Sequence, residues 1–189
     1  VLPIQYNHML QGMIYKLLDD ELANFLHGEG FQNKKRRFKM FTFSRIKGNY
    51  TLNKSKGSII FDSPIELTIS SHYDQFSNSI GNSFLNRQKV QLGNNYLEVK
   101  QLSVEKENVN SEEITIRTLS PISTYSTLYR KDGKKFTYYF NPKEKEFAEM
   151  IENNLKTKYR AFYSEEPPES EMDIKPLGST RLSIVKYKG

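Results

Sequence analysis

Apolar residues recur every three or four positions near the start of the chain. Beginning at Tyr6 or Asn7, the pattern runs through Met9, Leu10, Met13, Ile14, Leu17 and Leu18. This spacing predicts an amphipathic helix that buries one stripe. At about 100° per residue, Tyr15 falls off the centre of the stripe, on the flank shared with His8 and Gln11. A second, short helix is predicted over Glu21–Leu26, and His27 with the glycines after it ends that helix.

Strand patterns and one further helical pattern fill the rest of the first half. The predicted elements, in order, are a basic loop (Gln32–Arg37), a strand (Phe38–Ile46) paired across a polar hairpin with Gly57–Phe61, a strand (Ile65–Ser70), a helix (His72–Asn86), and a strand pair (Lys89–Leu92 and Tyr96–Val104).

A polar stretch without periodicity, Glu105–Glu113, is the predicted boundary between two domains, residues 1–112 and 113–189. The elements predicted after it are strands over Ile114–Leu119, Thr124–Tyr129 and Phe136–Phe140, a helix that starts at the capping sequence Asn141–Glu144, and a strand within Met172–Tyr187. Each half therefore mixes strands with one or two helices. This order indicates an α+β fold of two tandem ferredoxin-like domains, the first lacking its opening strand.

Composition and charge narrow the classes of function. The 189 residues carry a formal net charge of +6 and a sequence pI near 9.3, which suits a polyanionic partner. The chain has no cysteine, which excludes disulfides, thiolate metal sites and a cysteine nucleophile. No apolar run approaches the roughly 20 residues of a membrane span, and the start lacks a secretory signal pattern. We therefore expect a cytoplasmic protein without a membrane partner.

Of the three histidines in the chain, His27 has the most informative position. The partial negative charge at a helix C-terminus favours an imidazolium, which suits a general acid. His8 lies in the first turn of its helix, where a charged ring is disfavoured, and His72 lies at a strand-to-helix junction; structural roles are favoured for both. No spacing of histidines and carboxylates matches a metal site, so we expect no metal and no other cofactor.

Cleavage of RNA by its own 2′-hydroxyl needs few protein groups. One group assists removal of the 2′-proton, another protonates the leaving 5′-oxygen, and a cation stabilises the charged phosphorane. Tyr15, His27 and Lys39 are the candidates for these roles. The alternatives are a half-exposed helix tyrosine, a structural histidine and a solvated strand lysine.

Two groups of basic residues could contact a phosphate backbone, with a solvated surface as the alternative for both. The first consists of Lys34, Lys35, Arg36 and Arg37, followed by Arg45, and the second of Arg130, Lys131, Lys134 and Lys135 around a predicted turn. Phe41 and Phe43 alternate along their strand, and core packing is favoured over a base-stacking platform.

Several stretches closely resemble, in the same order, the CRISPR-associated endoribonuclease family that processes repeat RNA (Cas-six). They are YNHMLQGMIYKLL, LANFLHGEGF, FKMFTFSRIKG, TLSPIS and PKEKEFAEMIENNLKTKYRAFYSEEPP. The resemblance implies two ferredoxin-like domains, of which the N-terminal one carries the active site and the C-terminal one binds RNA. It also implies that the family's first strand precedes Leu2, and that a glycine-rich loop and final strand follow the end of this chain.

The activity that the resemblance implies is metal-independent cleavage of CRISPR precursor RNA within each repeat. The products have a 2′,3′-cyclic phosphate and a 5′-hydroxyl. The family's catalytic tyrosine, histidine and lysine fall on Tyr15, His27 and Lys39. The implied partners are CRISPR repeat RNA, subunits of a CRISPR effector complex and a second copy of the chain. Two alternatives stay open: a non-catalytic subunit that holds repeat RNA, and a ferredoxin-like interaction domain without preference for such RNA.

Overall fold

The computed structural model describes residues 1–169 and 172–178. Within these ranges there are four helices: α1 (Asn7–Leu17), α2 (Asp20–Gly28), α3 (Asp74–Asn86) and α4 (Lys145–Tyr163). The strands of the same ranges are β1 (Leu2–Pro3), β2 (Phe31–Asn33), β3 (Arg36–Phe38), β4 (Phe41–Phe43), β5 (Tyr50–Asn53), β6 (Ser58–Phe61), β7 (Ile69–Ser71), β8 (Lys89–Leu92), β9 (Asn95–Glu98), β10 (Tyr125–Tyr129) and β11 (Lys135–Tyr139). The α+β class predicted from the sequence is confirmed.

The described residues form two compact units. The first contains Val1–Gly28 and Met40–Ser120, and the second contains Glu29–Lys39 and the described residues from Pro121 onward. The segment between α2 and β4 is therefore part of the second unit, although it lies between two stretches of the first unit in the sequence.

The core of the first unit is built on the predicted apolar stripe of α1. This helix packs against α3 and β8. The buried apolar side chains of the three elements are Leu10, Met13, Ile14, Leu17, Phe76, Ile80 and Leu92. Tyr6, just before the helix, is also buried, and its hydroxyl accepts a 3.2 Å hydrogen bond from the backbone N–H of Ile46. The helices predicted over residues 7–18 and 72–86 are confirmed.

Short antiparallel pairings complete the first unit. One sheet has the order β1–β6–β5, and β4–β7 and β8–β9 form two-stranded ladders. In the three-stranded sheet Ile59 is paired with Leu2 on one side and with Leu52 on the other. The first strand of the described residues is short, since only Leu2 and Pro3 pair with β6.

The prediction of one long strand over Phe38–Ile46 paired with Gly57–Phe61 is wrong. Met40 has a left-handed φ of 53°, which separates β3 from β4. Strand β4 pairs with β7, and Ser44 extends that pairing because its Oγ accepts a 3.0 Å bond from the N–H of Thr68. Strand β6 instead pairs with β5 as well as with β1, and β5 follows Gly48, whose φ is +144°.

The second unit combines the β2–β3 hairpin with α4 and the β10–β11 hairpin. The Phe31 ring packs on Phe162 of α4 with a centroid distance of 5.0 Å. The expected basic loop over Gln32–Arg37 is therefore wrong, since only Lys34 and Lys35 form the turn between two strands. The reason is tertiary: Phe31 pairs with Phe38 across the hairpin and gains a packing partner far along the chain.

The strands predicted over Thr124–Tyr129 and Phe136–Phe140 are confirmed as β10 and β11. Helix α4 begins at Lys145, four residues beyond the predicted cap. The capping contacts do occur, because the backbone N–H of Asn141 donates to the Glu144 carboxylate and the Asn141 side chain accepts from Lys143.

Three other strand predictions need correction. Residues 114–119 are exposed and form no strand, and β9 ends at Glu98 rather than at Val104. Of the strand predicted within Met172–Tyr187, residues 172–178 are not in a strand, and the remainder lies outside the described residues. Apolar alternation in these segments has no neighbouring strand to pair with in the part of the chain that the structure describes.

Candidate active site

Tyr15 and His27 meet at the surface of the first unit. Tyr15 lies in α1, and His27 lies in the last turn of α2. The two ring centroids are 5.8 Å apart and the ring planes are inclined by 79°, an edge-to-face contact. Tyr15 is half-buried and His27 is exposed. The structure therefore brings together two of the three residues that the sequence singled out as catalytic candidates.

The Tyr15 ring is held from behind by a stack of aromatic side chains. Its centroid lies 5.8 Å from that of Phe41 in β4, again edge to face at 83°. Phe41 in turn stacks on Phe76 of α3 at 4.9 Å and 20°. Phe76 is only 2% exposed, so the series is anchored in the core. Such packing fixes the orientation of a functional ring, and Phe41 has the core role favoured by the sequence.

Partial burial changes the pKa of the Tyr15 phenol. Burial raises the pKa of the Tyr15 phenol above its ordinary value, while a hydrogen bond from the Gln11 side chain acts in the opposite direction. Since an ordinary tyrosine has a pKa near 10, the hydroxyl is neutral at physiological pH. It is thus equipped to donate or accept a hydrogen bond, and is a poor general base at that pH.

His27 lies at the C-terminal end of α2. It lies in the last turn of α2, and the unsatisfied carbonyl groups at a helix C-terminus carry partial negative charge. The ring is exposed, so a bound molecule can reach its nitrogen atoms. These are the properties required of a general acid.

Lys39 belongs to the second unit, directly after β3. Its side chain is half-buried. Burial, and then the positive charge of Arg37, lower the pKa of the Lys39 amine from its ordinary value. A cation that is partly removed from water interacts more strongly with an anion than a fully solvated one.

Gly30 makes room for the chain around Lys39. It has a φ of +62°, and a Cβ at this position would lie 2.7 Å from the carbonyl oxygen of Phe38 and 3.5 Å from Cδ of Lys39. A glycine is therefore required both by the backbone conformation and by the close approach of the two segments. The glycine expected to end α2 in a left-handed conformation is this one, two residues after Gly28.

The basic residues of the first group are exposed on the surface. Lys34 and Lys35 form the β2–β3 turn, while Arg36 and Arg37 lie in β3 opposite Asn33 and Gln32. Because side chains alternate along a strand, Arg36 and Arg37 project from opposite faces of the hairpin.

Arg45 lies in the first unit, between the buried residues Ser44 and Ile46. Its side chain is exposed, and its carbonyl oxygen accepts a 2.8 Å hydrogen bond from Ser44 Oγ. The alternation of buried and exposed positions directs Arg45 outward.

The second basic group lies at the turn end of the β10–β11 hairpin. The Arg130 guanidinium is 5.8 Å from the centroid of the Phe136 ring, and Lys135 Nζ is 5.7 Å from that of Tyr129. Lys134 lies 3.9 Å from the Asp132 carboxylate, and Lys131 is exposed in the turn.

Sequence reasoning placed Gln11 on the same flank of α1 as Tyr15 but missed the aromatic neighbour of Tyr15. Gln11 lies one helical turn before Tyr15, and this spacing of four residues was the available signal. The contact with Phe41 had no local signal, since it joins a helix to a strand 26 positions later. Within residues 1–169 and 172–178, no group of three or more histidine or acidic side chains is arranged to hold a metal ion. The helices described there are also too short or too polar to cross a bilayer.

The fold places the chain among α+β proteins of the RAMP class, built from tandem ferredoxin-like domains. A solved structure of "CRISPR associated protein Cas6" superposes with a TM-score of 0.60 at 28% identity, covering 89% of this chain and 68% of that one. A second structure, of a Cas6-related gene product from Pyrococcus furiosus, has a TM-score of 0.66 at 21% identity, covers 89% of this chain and 67% of that one, and supports the fold alone.

The sequence comparisons find similarity to the same proteins. Residues 103–189 match the family model described as CRISPR associated protein Cas6, C-terminal. The CRISPR-associated endoribonuclease Cas6 1 of Methanocaldococcus jannaschii is 30% identical over 169 residues, which cover 87% of this chain. The chain is therefore similar to Cas6 proteins over most of its length. It spans 63% of the length of the M. jannaschii relative, and therefore less than two thirds of it.

Proposed function

We propose that the protein is an endoribonuclease that cuts CRISPR precursor RNA within its repeats without a metal ion. The observation that carries this proposal is the edge-to-face contact between Tyr15 and His27 at the end of α2. Similarity to Cas6 proteins supports it, because the relatives are named as endoribonucleases. The same proposal includes a cytoplasmic location and the division into a catalytic domain (1–112) and an RNA-binding domain (113–189).

In the proposed reaction the 2′-oxygen attacks the adjacent phosphorus atom while the bond from phosphorus to the 5′-oxygen breaks. The 2′-hydroxyl loses its proton to solvent, and the 5′-oxygen receives a proton from the His27 imidazolium. The products are a 2′,3′-cyclic phosphate and a 5′-hydroxyl. One bond to phosphorus forms and one breaks, so no water molecule is added to phosphorus. His27 later takes a proton from solvent and returns to its initial state.

Tyr15 is proposed to orient the 2′-hydroxyl. The phenol of a tyrosine is neutral at physiological pH, and burial raises the pKa of Tyr15 further, so it acts through a hydrogen bond rather than by taking up the proton. The ring support from Phe41 and Phe76 limits the loss of side-chain freedom on binding.

Lys39 is proposed to stabilise the phosphorane. It precedes by two residues the Phe41 whose ring contacts Tyr15. Its half-buried amine is suited to an anion whose charge increases in the transition state.

The exposed basic residues are proposed to hold the repeat RNA through its phosphates. The first set consists of Lys34, Lys35, Arg36, Arg37 and Arg45. The second set, from the β10–β11 hairpin, consists of Arg130, Lys131, Lys134 and Lys135. Such contacts position RNA without specifying its sequence. The partners proposed beyond repeat RNA are the subunits of a CRISPR effector complex and a second copy of the chain.

Substitution of His27 tests the proposal. His27→Ala is expected to retain repeat-RNA binding and to lose most cleavage, with general acid catalysis typically worth about 10²–10⁴-fold in rate. His8→Ala is the matched control, because His8 is an exposed histidine in α1. Single-turnover cleavage of labelled repeat RNA in EDTA measures the rates. Cleavage by His27→Ala at the rate of His8→Ala would remove His27 from the mechanism.

A further inference from the structure

One face of the β10–β11 hairpin presents three exposed tyrosines. The two strands are antiparallel, with Tyr125 opposite Tyr139 and Tyr129 opposite Lys135. Because residues two apart along a strand share a face, the side chains on this face are those of Tyr125, Thr127, Tyr129, Lys135, Thr137 and Tyr139. All six are exposed. We call these six residues the tyrosine face.

Side chains on the opposite face of the hairpin are partly buried or hydrogen-bonded within the protein. Ser126 and Phe136 are half-buried there, and the Tyr138 hydroxyl donates a 2.8 Å hydrogen bond to the Glu144 carboxylate. The tyrosine face differs in that its rings are 55% (Tyr125), 66% (Tyr129) and 61% (Tyr139) exposed. Exposed rings grouped on one side of a hairpin are a feature of interaction surfaces.

The rings are arranged at two points along the hairpin. Tyr125 and Tyr139 are neighbours, with centroids 5.6 Å apart. Tyr129 lies four residues further along β10, about 13 Å away at the rise of an extended strand. Thr127 and Thr137 lie opposite each other between these points and can hydrogen-bond to sugar or base edges.

The charge near the tyrosine face is positive. The segment from Tyr125 to Tyr139 contains four basic residues and one acidic residue, Asp132. Lys135 Nζ lies over the Tyr129 ring, which places a cation beside an exposed aromatic surface. Exposed rings beside cations are the combination that binds single-stranded nucleic acid, because bases stack on the rings while phosphates meet the cations.

We propose that the tyrosine face binds unpaired nucleotides of RNA by stacking. The inference rests on the proposed RNA function, and it adds a single-stranded binding surface to the phosphate contacts. Stacking accepts any base, so this surface holds RNA without reading its sequence.

The test measures binding of a labelled, single-stranded oligoadenylate of about 12 nucleotides by fluorescence anisotropy. Tyr125→Leu and Tyr129→Leu keep an apolar side chain but remove the ring, and each is expected to weaken binding about 5- to 150-fold. Tyr125→Phe and Tyr129→Phe are expected to bind as the wild type does, because the ring is kept. Tyr96→Leu is the matched control, since Tyr96 is a 75% exposed tyrosine in the β8–β9 hairpin.

Two results would overturn the inference. One is equal affinity of the leucine variants and the Tyr96→Leu control, with unchanged circular dichroism. The other is an RNA-free dimer of the wild-type chain that the leucine variants dissociate, which would assign the tyrosine face to a second copy. The binding assay needs no cleavage, so a failed nuclease proposal and a failed stacking proposal give different results on the same samples.

Discussion

Replacing Gly30 tests how the segment that carries Lys39 is packed. A Cβ at Gly30 would lie 2.7 Å from the Phe38 carbonyl oxygen, closer than real side chains approach, and that oxygen belongs to backbone. Gly133 provides the comparison within the same unit. Its φ of +78° is also left-handed, but a Cβ there would have no heavy atom within 4 Å.

Comparison of Gly30 with Gly133 separates two free-energy costs of adding a side chain, that of the left-handed backbone and that of a steric clash. A left-handed conformation costs an L-residue about 1–2 kcal/mol, which applies at both sites. Overpacking that forces backbone to shift costs about 1–3 kcal/mol more, and applies only at Gly30. We therefore expect Gly133→Ala to lose about 1–2 kcal/mol of unfolding free energy and Gly30→Ala about 2–5 kcal/mol.

Urea unfolding followed by far-ultraviolet circular dichroism measures these losses. Asparagine at the same two positions sharpens the comparison, because asparagine tolerates the left-handed region but still carries a Cβ. Gly133→Asn should then be close to wild type, while Gly30→Asn should remain destabilised by about 1–3 kcal/mol. Equal losses at the two positions, for both replacements, would refute the contact between Gly30 and Phe38.

Three further predictions concern other parts of the protein. Tyr15→Phe should keep the ring contacts and the stability but slow cleavage, and single-turnover kinetics beside thermal unfolding separates the two effects. Asp19 accepts a 2.9 Å bond from the Leu22 N–H at the start of α2, so Asp19→Ala should cost about 0.5–2 kcal/mol and Asp20→Ala less in urea unfolding. Hydrogen bonds, first that from the Leu22 backbone, lower the pKa of Asp19. The stability that Asp19 contributes is therefore present above the ordinary carboxyl pKa and is lost as pH falls through the folded-state pKa. A difference in unfolding free energy between wild type and Asp19→Ala that stays constant in acid would contradict this. Neutralising two residues of Lys34–Arg37 should lower RNA affinity and reduce the salt slope by about 0.7 per lost phosphate contact, whereas an unchanged slope would exclude those contacts.

Local patterns in the sequence were sufficient for the helices and for one hairpin. The α1 stripe from Met9 to Leu18 and the β10–β11 turn both depend on neighbours close in sequence. The same periodicity put Tyr15 at the border of the stripe, where it is found half-buried. The predicted end of α2 also identified His27 as a candidate catalytic residue.

The strand partners and the surroundings of Tyr15 required tertiary information. Phe31 lies in a strand and packs on Phe162. Phe41 pairs with Ser71 in a strand that begins directly after Met40, and no residue pattern marks the left-handed conformation of Met40. Apolar alternation over Ile114–Leu119 predicted a strand that has no pairing partner among the described residues. Periodicity reports which face of a segment is apolar, but not which other segment covers it.

The most direct test of the central proposal is a cleavage assay in EDTA with two repeat RNAs that differ only by a 2′-deoxy group at the scissile nucleotide. We predict that the unmodified RNA is cut to 2′,3′-cyclic phosphate and 5′-hydroxyl ends, and that the 2′-deoxy RNA is bound but left intact. Cleavage of both RNAs, or cleavage that requires a divalent metal, would contradict attack by the 2′-hydroxyl. Tight binding with no cleavage of either RNA would instead identify a subunit that holds repeat RNA.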